Sequence, residues 1–146
     1  MISRQHSEWA TTKSNEGRLN AAYHSINHVF LIFSVSKMTE FKGFARMTSP
    51  SSKNSGHWRN TETIKLGGCF KIQWITTASL SFQRIKNLTN SYNNNEPVKN
   101  SRDCTELDPL VGREVCKLFE VPYRDPTEPP PAFILEANGQ PGVSQM

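Results

Sequence analysis

The chain has 146 residues, 36% of them hydrophobic, and a mean hydropathy of −0.57, which gives room for one buried core within a soluble chain. No apolar run is long enough to span a bilayer: the longest, Val29 to Phe33, is strand-sized, and the opening Met-Ile-Ser-Arg-Gln-His lacks the apolar stretch of an export signal. Cys69, Cys104 and Cys116 are odd in number and sit in no C-x-x-C spacing, which argues against a disulfide framework and a zinc site and for a reducing compartment. The net charge of +4 hides an asymmetry. Residues 1–99 hold 13 Lys/Arg against 5 Asp/Glu, whereas residues 100–146 hold 4 against 8. A basic body suits a polyanionic partner, because phosphate neutralisation drives much of nucleic-acid affinity, although a basic surface also serves solubility alone.

In chain order, Ser14 and Asn15 offer N-caps, and Leu19, Ala22, Tyr23 and Ile26 recur at helical spacing behind them, predicting a short amphipathic helix. The continuous run Val29 to Val35 predicts a central strand covered on both faces. Phe41 to Thr48 reads as its neighbour, with Lys42 and Arg46 on one face and Gly43, Ala45 and Met47 on the other. Pro50 to Leu66 is rich in Ser, Asn, Gly and Lys and predicts a long loop of the kind that is functional or disordered. Phe70, Ile72 and Trp74 alternate with Lys71 and Gln73, a strand with one face in the core, so Trp74 is assigned to the core.

Ser91 to Asn95 is an Asn cluster without periodicity, ended by Pro97. Asp108 as N-cap and Pro109 at the first helical position precede the stripe Val111, Val115, Leu118 and Phe119, a second helix. From Pro122 onward lie six of the nine prolines, so residues 122–146 are expected to form a flexible Pro-rich tail behind a domain of residues 1–121. Mixed strands with few helices predict an α/β or α+β domain around a small open barrel.

Several stretches, in order, resemble the YTH family. They are Trp9-Ala10-Thr11-Thr12, Leu31 to Val35, Phe41 to Met47, Leu66 to Ile75, Pro97 to Asp103, and Glu106-Leu107 with the helix after them, running from about residue 2 to 120. The resemblance implies a PUA-like α/β fold, an open barrel-like sheet of about five strands flanked by helices. It also implies a reader of N6-methyladenosine in single-stranded RNA, with no enzymatic activity, metal, cofactor or membrane partner. The cage for the methylated base would be Trp9, Trp58 and Leu66. The carbonyl of Ala10 would accept the remaining N–H of the methylated amine, and Arg102, with Asp103 beside it, would contact the RNA backbone. Leu66 and the Arg102-Asp103-Cys104 stretch look more like nuclear, polyadenylation-linked members than cytoplasmic ones, which implies a reader in mRNA processing or turnover, in the nucleus first with the cytoplasm as the alternative.

The chemistry of such a cage sets its limits. Stacking on an aromatic ring contributes roughly 1–3 kcal/mol per base, and burying one methyl adds about 0.8 kcal/mol. Discrimination by that methyl is bounded at about 10–200-fold, so affinity must draw on phosphate contacts and weaken with salt.

Other assignments compete. Either Trp suits a core as well as a site, although Trp58 sits in a polar loop between His57 and Arg59. Leu66 serves equally as a strand start, Arg102-Asp103 as an ion pair in a turn, His57 as a solvated histidine, and Lys42, Arg46, Lys65 and Lys71 as a solvated face rather than an RNA path. A methyl-insensitive RNA-binding module is the nearest alternative. An RNA-processing enzyme using Cys104, His57, Asp103 and Glu106 lacks a His–carboxylate pair, a phosphate loop or metal-ligand spacing. Docking through Pro129-Pro130-Pro131 competes with a plain linker.

One departure from the family pattern stands out. The resemblance implies a first strand ahead of Trp9, carrying a Lys-Ser pair and an Asn that bonds the ring edge of the base. Residues 1–8 offer no counterpart, and Arg4, Gln5 and His6 occupy the approach to Trp9. Loss of that strand is expected to expose a sheet edge with unpaired backbone groups. It would also remove a polar contact of about 1–3 kcal/mol, leaving a cage that binds more weakly than an intact one.

Overall fold

The computed structural model describes residues 8–26, 28–34, 39–52, 66–101, 104–119 and 132–136. Its elements in chain order are β1 (Glu8–Thr12), α1 (Lys13–Ser25), β2 (Val29–Ser34), β3 (Glu40–Met47), β4 (Leu66–Thr76), β5 (Leu80–Ser81), β6 (Thr89–Asn90), β7 (Glu96–Pro97), β8 (Thr105–Leu107), α2 (Pro109–Leu118) and β9 (Ala132–Glu136). The main sheet runs β1-β4-β3-β2-β9-β8, with β5 added on β3, and β6 pairs with β7 apart from it. It is a mixed, open sheet rather than a closed barrel: β2 and β9 run parallel, and its other pairs are antiparallel.

The apolar run of β2 is continuous because both of its faces are buried. Val29, Leu31 and Phe33 join Trp9, Leu19, Met47, Phe70, Ile72 and Ile134 on one face, with α1 packed there through Leu19 and the partly buried Ala22, Tyr23 and Ile26. Ile32 joins Phe41, Phe44, Phe133, Leu135, Val115, Cys116 and Phe119 on the other, under α2. Trp74, expected in the core, is only partly buried and packs against the first of these clusters. The stripe predicted for β4 otherwise holds, with Phe70 and Ile72 buried and Lys71 and Gln73 exposed.

The expected tail does not extend through Ala132–Glu136. These residues form β9, all five of them buried, parallel to β2 from Val29↔Ala132 to Phe33↔Glu136 and antiparallel to β8 from Thr105↔Leu135 to Leu107↔Phe133. The proline count hid a short apolar run, Ala-Phe-Ile-Leu. Such a run is costly to leave in water and reads as a strand buried on both faces. Among the described residues β2 has a neighbour on each side, β3 and β9, and the sheet has seven strands rather than about five.

The helices begin close to where their caps suggest. α1 starts at Lys13 with Thr12 as N-cap, two or three residues before the predicted caps Ser14 or Asn15. In α2 the Asp108 side chain accepts the Leu110 N–H at 2.9 Å, and Pro109 occupies the first turn. A second hydrogen bond, from Ser91 Oγ at 2.6 Å, is the larger cause of an Asp108 carboxyl held below its ordinary range. The Asn cluster is a short 3-10 turn, Ser91–Asn93, followed by Asn94 and Asn95 at φ 55° and 59°, a region that Asn tolerates better than most residues. Buried Asn90 ties this turn to α2: its amide donates to the Glu106 carbonyl and accepts from the Tyr92 and Asp108 N–H groups.

Candidate nucleic-acid interface

Of the residues predicted for the site, Trp9, Ala10 and Leu66 lie on the paired strands β1 and β4. Trp9 pairs with Phe70, Ala10 with Cys69 and Thr12 with Leu66, with an irregularity between Ala10 and Thr12. Trp9, Ala10 and the start of β4 at Leu66 therefore lie at one end of two hydrogen-bonded strands. Trp58, Arg102 and Asp103 lie outside the described residues, as do Arg4, Gln5, His6, His57 and Lys65.

Trp9 is 1% exposed, so its indole belongs to the core in this arrangement. Its Nε1–H donates to Glu136 Oε1 at 2.6 Å, a bond between fully buried groups separated by 127 positions. The Phe33 ring meets it edge to face, with centroids 4.7 Å apart, and Phe33 in turn lies 4.9 Å from Trp74. Trp9, Phe33 and Trp74 thus form an aromatic row, with the Glu136 carboxylate on the indole edge at one end. Glu136 went unnoticed in the sequence because it lies in the expected tail. The usable signal was its place at i, i+2, i+4 with Ala132 and Ile134, which puts it on the Trp9 face of β9.

Residues 51–52 and 67–69, on either side of the segment in which Trp58 falls, are held together. Ser52 and Cys69 exchange N–H···O bonds of 2.7 and 2.8 Å across its base. Ser51 Oγ donates to Glu16 Oε2 at 2.6 Å, while the Asn20 amide donates to Ser51 Oγ and accepts the Ser51 N–H, both at 2.8 Å, so α1 clamps this end. On the other side the Glu16 carboxylate lies against Gly67, and the Ser52 carbonyl against Gly68, where side chains would overlap them. Gly68 is required here for close approach to the Ser52 backbone rather than for unusual dihedrals, whereas at Gly67 the neighbour is the end of the Glu16 side chain.

The basic residues are partly committed elsewhere. Lys42 is paired with Glu40 at 2.6 Å, and Arg46 donates to Gln73 at 3.4 Å across the β3–β4 pair, while Lys71 is exposed. Of the groups considered for catalysis, Cys104 is buried at φ 62° and Glu106 is exposed on β8. Among the described residues no cluster of His, Cys, Asp or Glu has the grouping needed for a metal ion.

The family model described as the YT521-B-like domain, YTH, matches residues 1–120. The chain belongs to the YTH family. This YTH domain is 41% identical over 142 residues to a zinc finger CCCH domain-containing protein 45 of Oryza sativa subsp. japonica, covering 95% of the chain and 21% of that protein. It is 39% identical over 142 residues to a 30-kDa cleavage and polyadenylation specificity factor 30 of Arabidopsis thaliana, covering 95% of the chain and 22% of that protein. It thus spans about a fifth of the length of these relatives. Its fold matches, with a TM-score of 0.70 at 30% identity, the YTH domain of Toxoplasma CPSF4 solved in complex with a 7-mer m6A-modified RNA, covering 85% of each chain.

Proposed function

We propose that this YTH domain binds single-stranded RNA containing N6-methyladenosine and acts as a reader in mRNA processing, without altering the RNA chemically. The observation that carries this reading is the solved YTH relative, 30% identical and of the same fold, bound to m6A-modified RNA. In this reading Trp9, Trp58 and Leu66 enclose the methylated base, the Ala10 carbonyl accepts its N–H, and Arg102 and Asp103 lie along the RNA backbone. Glu16, hydrogen-bonded to Ser51 Oγ and lying against Gly67, supports it by holding together residues on either side of the segment in which Trp58 falls. The excess of cations over residues 1–99 supplies phosphate attraction. The name of the Arabidopsis relative, a cleavage and polyadenylation factor, favours work on nuclear mRNA.

The burial of Trp9 sets a condition: the base must be admitted to an indole that is 1% exposed without it. This observation favours a second reading, a closed site that holds RNA by charge without sensing the methyl. Calorimetric titration with a short single-stranded RNA, with and without one N6-methyladenosine, separates the two. Preference for the methylated strand, lost in Trp58→Ala, is the result expected. Equal, salt-sensitive affinity for both strands establishes the second reading, and no binding removes both.

A further inference from the structure

We propose that β9 is part of the base-binding site, and that Glu136 is the positioning residue that fixes the plane of Trp9. This rests on the function proposed above and adds a determinant that the residues matched to the family model, 1–120, do not contain.

The geometry makes the argument. A Trp ring has two side-chain torsions to restrain, and a base stacks well only if the ring's orientation is settled before it arrives. Here Phe33 and Glu136 are register partners on adjacent parallel strands, so their side chains project side by side from one face of the sheet. Both reach Trp9. Phe33 packs on the ring system at 4.7 Å and 70°, and Glu136 holds the Nε1–H at 2.6 Å. Two contacts of different kinds, one on the ring and one at its edge, leave the indole a single orientation. The edge contact occupies the one polar atom of the side chain, so a base admitted beside the indole would meet only apolar ring surface.

A buried carboxylate is an expensive way to fill a core position, and an aliphatic residue there would pack at lower cost. Its retention at 0% exposure, aimed at the indole N–H, fits a directional acceptor rather than a packing role. The strand that carries it is fixed independently of the site, by pairing with β2 and β8 and by Phe133 beneath α2. Glu136 is therefore delivered on a rigid element.

Two substitutions in the full chain separate reach from charge. Glu136→Gln keeps an oxygen at the same distance without the charge. Glu136→Asp keeps the charge but draws the oxygen back from the indole by one methylene. Each is measured for thermal unfolding, for the Trp9 Nε1–H resonance (assigned by its absence in Trp9→Phe), and for the ratio of affinities toward methylated and unmethylated RNA. We expect the Gln variant to keep the protected Nε1–H signal and a ratio close to that of the parent. The Asp variant is expected to lose that protection, with its ratio falling at least about fivefold toward unity even at temperatures where it is fully folded. A ratio in the Asp variant equal to that of the parent, or a Gln variant that behaves like Asp, overturns the positioning role. If the parent itself shows no preference for methylated RNA, the proposed function fails and Glu136 as a site residue falls with it. The Nε1–H signal then still reports whether the bond to Glu136 exists.

Discussion

Gly112 of α2 faces the ring of Phe133 in β9 so closely that no β-carbon fits between them. A helix inside the family-matched region is thus shaped to receive a strand that lies beyond it. The contact predicts a cost on either side. Gly112→Ala should destabilise the domain by about 1–3 kcal/mol through overpacking, although alanine is the better helix former. Phe133→Ala should cost about 3–5 kcal/mol by leaving a cavity under α2. The two effects should also be non-additive, since the smaller side chain at 133 makes room for the added methyl. Chemical denaturation of the two single variants and the double variant measures all three. Additive costs would mean that α2 and β9 do not press on one another.

Asn90 is the second place where local chemistry holds distant parts together. Its carboxamide is fully buried and satisfies three backbone groups, the Glu106 carbonyl and the Tyr92 and Asp108 N–H groups. Asn90→Leu would remove the partner of all three part-buried groups, so a loss of about 1–3 kcal/mol is expected. Asn90→Asp keeps the acceptor but removes the donor to Glu106, and should fall between the parent and Leu variants. Hydrogen exchange should then quicken at the Tyr92 and Asp108 amides in the Leu variant and not in the Asp variant. Unchanged exchange in both would count against this role.

Gly68 tests the clamp on the stretch that carries Trp58. A β-carbon there would collide with the Ser52 carbonyl and must disturb the Ser52–Cys69 backbone pair. Gly68→Ala is expected to weaken binding to methylated RNA by more than its effect on stability predicts, with Glu16→Gln giving a milder loss because the amide oxygen still accepts from Ser51 Oγ. Titration calorimetry beside thermal melting decides this. Binding by Gly68→Ala that equals the parent's would separate the clamp from the site.

How much of this was legible depended on whether the signal was local. The run Val29 to Val35 named a strand covered on both faces, and the Asp108-Pro109 start named α2 almost to the residue, because periodicity and capping are written in adjacent positions. β9 was not legible. Five residues among prolines carry no period that outweighs the composition around them, and the strand makes sense only beside β2, about a hundred positions earlier in the chain. The Trp9–Glu136 pair was hidden for the same reason. Trp9 stood out as a candidate, but its partner depends on a parallel pairing that no local pattern announces. The Gly67-Gly68 pair was visible as a motif, whereas its cause, Glu16 and Ser52 pressed against it, is tertiary.

Cys116 supplies a prediction in pH. It lies fully buried on the inner face of α2, and burial alone pushes its thiol from 9.0 up to about 12. At neutral pH it is protonated whether the chain is folded or not, so it makes no pH-dependent contribution there. Between about 9 and about 12 the unfolded chain releases the proton while the folded chain retains it. The folded state then binds more protons than the unfolded one, and stability must fall as pH rises through that window. Cys116→Ala removes the effect. Its stability measured against the parent should improve steadily above pH 9 and be independent of pH below it, as followed by urea denaturation at a series of pH values. A thiol reagent at pH 8 should likewise leave Cys116 unmodified in the folded protein and label it once urea unfolds the chain, because the attacking species is the thiolate. Rapid labelling of Cys116 in the folded state would place it at the surface and overturn the packing of α2 against β9.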